Sequence, residues 1–205
     1  MAAFAEPAVL IRNPVRTAIG AFNATRKDTP ATALGALVLG ERGTQSREML
    51  RSDPAALPGL GKVRLRQLRR PEDEAAFRRF GAALTPEDLR TRFAVPTRWS
   101  PAVAERIWAL DGVAFAAFDE GGEILGMGEV VGTEVGLAIR SDLKRHGLGR
   151  ALLERIVRHA FEEGATELTA TVLAENGAML DLAQRIGFHA MGLAGTEVSM
   201  RLCLP

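Results

Sequence analysis

The chain has 205 residues, is 47% apolar and 25% charged, and balances 26 Lys and Arg against 25 Asp and Glu. Such values describe a globular protein and exclude a disordered or collagen-like one, and the length holds one domain with an appendage or two small domains. A formal net charge of +1 offers no broad surface for neutralising nucleic-acid phosphates, so no nucleic-acid partner is expected and any anion site must be local.

In chain order, the first sixty residues change character several times, and Arg47 to Gly61, with Pro54, Pro58, Gly59 and Gly61 among small residues, reads as a linker. Val63 to Leu68 begins with the strict alternation of a half-buried strand. Pro71 and the acids up to Glu74 mark a helix start ahead of Ala75, Phe77, Phe80 and Leu84. Thr85 and Pro86 open a second helix running to Phe93 as N-cap and first helical residue, and a third spans Pro101 to Leu110. A hairpin follows, Val113 to Phe118 and Ile124 to Val131, turning at Asp119 to Gly122. From Glu134 to Arg140 bulky Val135, Leu137 and Ile139 alternate with Glu134, Gly136 and Ala138, so one strand face is core and the other leaves room. Leu148, Leu152, Leu153, Ile156, Val157 and Ala160 make an apolar stripe over Gly147 to Glu163, the most regular helix of the chain. A strand at Glu167 to Leu173, a helix at Asn176 to Arg185 closed by Gly187, and strands at Phe188 to Leu193 and Glu197 to Leu202 complete an α/β mixed sheet flanked by helices.

Chemistry concentrates between the strand ending at Ile139 and that long helix. Gly147 and Gly149 let backbone approach an anion, the helix N-terminus presents N–H groups with a favourable dipole, and Lys144, Arg145 and Arg150 add charge. The expected ligand is a phosphate or pyrophosphate. A dinucleotide fold needs a third glycine near Leu152 and a P-loop needs Gly-Lys-Ser/Thr after the second; neither is present. Cys203 stands alone and His146, His159 and His189 are scattered, so neither an internal disulfide nor a zinc site is expected. No apolar run approaches the ~20 residues of a membrane span, and Met1 to Glu6 lacks a secretory leader's basic start. The expectation is a cytoplasmic location with no membrane partner.

The segment Val135 to Glu154, with Lys144-x-x-Gly147-x-Gly149, resembles the acetyl-CoA motif of the GNAT superfamily, whose loop reads Arg/Gln-x-x-Gly-x-Gly/Ala. Val172 to Phe188, in which Asn176 opens a helix ending in Gly187-Phe188, resembles the same family's second signature. The resemblance spans residues 63–205 and implies a GNAT-like acyl-CoA N-acyltransferase fold, with residues 1–62 as an N-terminal appendage. The segments from Leu65 to Glu74 and from Leu84 to Phe93 look most like bacterial protein-lysine acetyltransferases. The implied co-substrate is acetyl-CoA, and the implied acceptor is a protein lysine or a small-molecule amine.

Further roles follow from the resemblance. Backbone of Leu137, Ala138 and Ile139 would pair with the pantetheine arm, and an amide of Ala138 or Ile139 would polarise the thioester oxygen. Lys144, Arg145, His146, Gly147, Leu148, Gly149 and Arg150 would line the pyrophosphate, with His146 a loop-surface residue rather than a catalyst. Asn176 would contact the cofactor or simply cap its helix. Glu134 is the candidate general base, its pKa raised by partial burial, and Glu129 on the preceding strand competes for that role. The chain has no tyrosine, the residue many relatives use to protonate the departing thiolate, so water or unassisted departure must serve. Trp99 and Trp108 are candidates for an acceptor groove or for core, and Cys203 for a buried small apolar residue. An alternative is a catalytically silent acyl-CoA-binding or regulatory module. Ala8 to Phe22 with Ala31 to Leu39 resembles the N-terminus of thiolases, but the only cysteine, Cys203, lies elsewhere, so no thiolase activity is expected.

Overall fold

The computed structural model describes residue 57 and residues 59–205. The thiolase-like segment expected over residues 8–40 lies outside the described residues. Seven strands, β1 (Arg64–Gln67), β2 (Val113–Phe118), β3 (Ile124–Val131), β4 (Glu134–Ile139), β5 (Glu167–Leu173), β6 (His189–Ala194) and β7 (Glu197–Cys203), form one sheet in the order β1-β2-β3-β4-β5-β7-β6. All neighbours are antiparallel except β4 and β5. Five helices, α1 (Glu74–Ala83), α2 (Pro86–Phe93), α3 (Pro101–Trp108), α4 (Leu148–Glu162) and α5 (Gly177–Ile186), cover it. The mixed α/β class expected from the sequence is the observed one.

Two cores lie against the sheet. The larger gathers the stripe of α4, including Leu152, Ile156 and Val157, with Ala183 and Ile186 of α5 and inward residues of β5 and β7. The smaller packs Phe77 and Phe80 of α1 and Ala104 of α3 against Phe118, Met127 and Ala138. Trp99 meets Phe77 edge to face and Trp108 meets it at a tilt, with ring centroids 5.5 and 4.9 Å away. Leu57 and Leu60, expected in a linker, pack against the larger core.

Local signals explain most boundaries. Thr85 caps α2 in a capping box with Asp88, Ser100 caps α3 through the Val103 N–H, and Asn176 caps α5 through the Met179 N–H. The start of α1 differs: Asp73 makes no cap, because its carboxylate accepts the Arg66 guanidinium at 2.6 and 2.7 Å and the Arg69 N–H at 2.7 Å. Cys203 is exposed rather than buried. In β7 it shares the outward phase of Ser199 and Arg201, while Met200 and Leu202 face the core.

Candidate functional site

The turn between β4 and α4 is built to leave amide groups without helical partners. After the short 3₁₀ segment Ser141–Leu143, Arg145 (φ 69°) and Gly147 (φ 85°) are both left-handed. Gly147 is the N-cap of α4 and supplies no side-chain bond, whereas α2, α3 and α5 are capped by side chains. The Ala151 N–H closes the first turn on the Gly147 carbonyl at 3.0 Å, so the N–H groups of Leu148, Gly149 and Arg150 precede the helical ladder and point along its positive end. Leu148 offers only its backbone here, since its side chain is buried in the larger core.

The cations of this turn differ in their commitments. Lys144 pairs with Asp88 of α2 at 2.5 Å, and Arg150 with Glu154 one turn on at 2.7 Å. Arg145 is exposed and forms no ion pair among the described residues. His146 is half-buried; its ring lies 3.4 Å from where a Cβ on Gly59 would sit.

Beside this turn the sheet opens. β4 and β5 register at a single pair, Glu134 with Thr169, joined by the Thr169 N–H on the Thr133 carbonyl at 2.8 Å. β3 stays paired with β4 along its whole length, and the Arg140 N–H reaches the Leu125 carbonyl. Antiparallel alternation then turns the backbone groups of Glu134, Gly136 and Ala138 toward β3, and those of Leu137 and Ile139 toward the opening. The amide of Ala138, one of two expected to face a ligand, is therefore engaged by β3; Ile139 is the one whose N–H faces the gap. Across the mouth, Arg90 of α2 pairs with Glu175, next to Asn176.

Glu134 is half-buried at the closed end of this opening. Burial pushes its carboxyl above the usual glutamate range, with Glu129 and Glu197 adding to the rise and Arg92 opposing it. The face of β4 expected to leave room is occupied: the Arg92 guanidinium lies over Gly136, its Nη2 only 2.2 Å from where a Cβ would stand. It pairs there with Glu129, the cross-strand neighbour of Gly136. Glycine is required at 136 because a basic side chain crosses the strand. A small apolar pocket adjoins this pair, walled by Phe77, Phe80, Trp99 and Met127.

Glu134, Leu137, Ile139 and the turn from Lys144 to Arg150 thus line one continuous strand and turn, with Asn176 at the start of α5. Arg92 and the long reach of Asp88 escaped the sequence reading; the signal for Arg92 was Gly136, a residue with no side chain in the middle of an alternating strand. Among the described residues no helix is long and apolar enough to cross a membrane, and no group of three or more His, Cys, Asp or Glu could hold a metal ion.

The profile of the acetyltransferase (GNAT) family matches residues 75–188. Solved structures with the same fold include the GNAT domain of S. lividans PAT, 24% identical over 70% of this chain and 92% of that one, with a TM-score of 0.62. Spermidine N-acetyltransferase from Vibrio cholerae, in complex with CoA and spermine, is 17% identical over 69% of this chain and 95% of its own, with a TM-score of 0.55. The protein yncA from Salmonella typhimurium, with its cofactor acetyl-CoA, is 18% identical over 71% and 95%, with a TM-score of 0.51. At these identities the likeness is one of fold.

Proposed function

The chain belongs to the GNAT acetyltransferase family, and on that premise we propose that residues 63–205 form a domain that acetylates a protein lysine or small amine with Glu134 as general base. N-acetylation within the acyltransferase class, with acetyl-CoA as co-substrate, comes with the family. The acceptor and the residue roles are our reading. Polyamines are among the small amines it admits, since one protein of this fold holds spermine.

The residues present fit an acyl-CoA. The uncapped amides of α4 suit a pyrophosphate, and the unpaired edge of β4 suits an amide-rich arm that adds to the sheet as a strand would. When bound, acetyl-CoA supplies the thioester carbonyl and the thiolate leaving group. Glu134 stands at the closed end of the opening and takes a proton from the acceptor nitrogen, which is a nucleophile only when neutral; a free lysine has a pKa of ~10.4. Raising the Glu134 carboxyl towards working pH makes it the stronger base. The Ile139 N–H faces the opening and donates to the oxygen that gains charge as the nitrogen attacks. With no tyrosine in the chain, water protonates the departing thiolate or it leaves unassisted. Glu129, the competing carboxylate, is held by Arg92, which leaves Glu134 as the base.

The single observation behind this reading is the parting of β4 from β5 just beyond Glu134, beside the uncapped helix. Calorimetric titration with acetyl-CoA, followed by mass spectrometry of lysine peptides and polyamines, tests it. Binding with turnover that Glu134→Gln suppresses is the expected result. Absence of acyl-CoA affinity overturns the reading, and binding without turnover on every amine returns the silent module.

A further inference from the structure

A carboxylate from α2 reaches into the turn that would hold the pyrophosphate. Asp88 has a side chain only 1% exposed, yet its partners lie far apart in sequence. Oδ2 accepts the Thr85 N–H at 3.0 Å and the Thr85 hydroxyl at 2.8 Å. Oδ1 accepts the Ser141 hydroxyl at 2.7 Å and the Lys144 ammonium at 2.5 Å, from residues 53 and 56 positions away. Burial alone would push this carboxyl up; the donors from Lys144, Ser141 and Thr85 outweigh it and hold the group below the ordinary carboxylate range.

Lys144 immediately precedes the left-handed pair at Arg145 and Gly147, and Ser141 opens the 3₁₀ segment that leads into them. A turn with two such residues has many ways to aim its amides, and its orientation depends on what fixes its entry. Here the entry is held by α2 through Asp88, together with the Leu143 N–H on the carbonyl of Arg140 just beyond β4 at 2.9 Å. We propose that Asp88 is a positioning residue for acyl-CoA binding: through Ser141 and Lys144 it sets the turn so that the amides at the start of α4 meet the pyrophosphate. This rests on the acyl-CoA reading above. Lys144, standing where the resembled motif has arginine or glutamine, thereby acts as a strut to Asp88, and the anion is held by backbone.

The test compares acetyl-CoA with S-acetyl-pantetheine, which has the reactive end but no pyrophosphate. Lys144→Met is expected to raise the KM for acetyl-CoA and the Kd for CoA by about tenfold or more, as misplaced contacts do, while kcat at saturation and the KM for S-acetyl-pantetheine stay within about twofold. Lys144→Arg, which keeps a cation within reach of Asp88, restores wild-type values. Asp88→Asn separates a strut from a direct contact. A strut predicts weaker CoA binding in Asp88→Asn, and a double variant no worse than either single one. A lysine that touches the pyrophosphate itself predicts unchanged or tighter binding once released, which overturns the proposal. Equal losses with both substrates, or unchanged CoA affinity in Lys144→Met, overturn it as well. Should Asp88→Asn fail to fold, Ser141→Ala takes its place with the same expected direction. No CoA affinity in the wild-type protein overturns the acyl-CoA reading itself; affinity in the wild type with no effect of the variants overturns only the strut.

Discussion

Replacing Arg92 by methionine probes the charge arrangement under the candidate base. Glu129 has a side chain 9% exposed and Arg92 19%, so the substitution leaves a carboxylate with little access to water. Removing one partner of a buried pair costs about 3–5 kcal/mol. Arg92→Met is therefore expected to lose about 3–5 kcal/mol. Urea unfolding, referred to the wild type, reads this directly, and the fluorescence of Trp99 in the adjoining pocket reports the transition. The double variant Arg92→Met with Glu129→Met should return to within about 1 kcal/mol of wild type, because a buried pair exchanged for apolar groups is close to neutral. A loss below about 1 kcal/mol would mean Glu129 keeps its hydration without Arg92, and would refute the charge compensation inferred here.

Glu134→Gln should lower kcat by about 10²–10⁴ with acetyl-CoA affinity retained, by the usual weight of a general base; unchanged turnover removes Glu134 from the mechanism. Its effect on stability has the opposite sign. Burial raises the Glu134 carboxyl in the folded state, so the folded protein holds that proton more tightly, a contribution present below the unfolded pKa and lost as pH rises through the folded one. The glutamine variant escapes that loss and should unfold at equal or higher urea at pH 7. In wild type, kcat should fall on the acid side with a midpoint above the ordinary glutamate range, and a midpoint inside that range counts against the buried base. Asn176→Ala should cost about 1 kcal/mol as a lost N-cap; a parallel fall in CoA affinity, measured by calorimetry, would separate cofactor contact from capping.

What could be read in the sequence depended on how far apart the partners stand. Thr85 and Asn176 were legible as caps because each bonds an N–H three residues on, and the stripe of α4 was legible because its period lies within one helix. The inward residues of β7 were legible in principle from their two-residue period; Cys203 was misjudged by type instead of by phase. The order of the strands was not legible. β7 lies between β5 and β6, and nothing local states which edge a hairpin joins. The aim of the Ala138 amide was equally hidden, since it depends on the register of β4 against β3.

The side chains that shape the site belong to the illegible class, and they share one origin. Asp88 and Arg92 stand four residues apart on α2, hence on one face of that helix. One meets the turn at Ser141 and Lys144; the other meets Glu129 across Gly136, 37 residues away in sequence. A sequence scan sees in this helix an N-cap followed by two acids and two arginines, which is what a solvated surface helix shows. Only the sheet reveals that the charged face points inward, and Gly136 is the local trace of it: a position in β4 emptied of its side chain so that a guanidinium can lie on the strand. α2 therefore links the turn before α4 and Glu129 through two charges one turn apart. Its rotation about its own axis is constrained at the middle of β4 and just beyond the end of that strand at once.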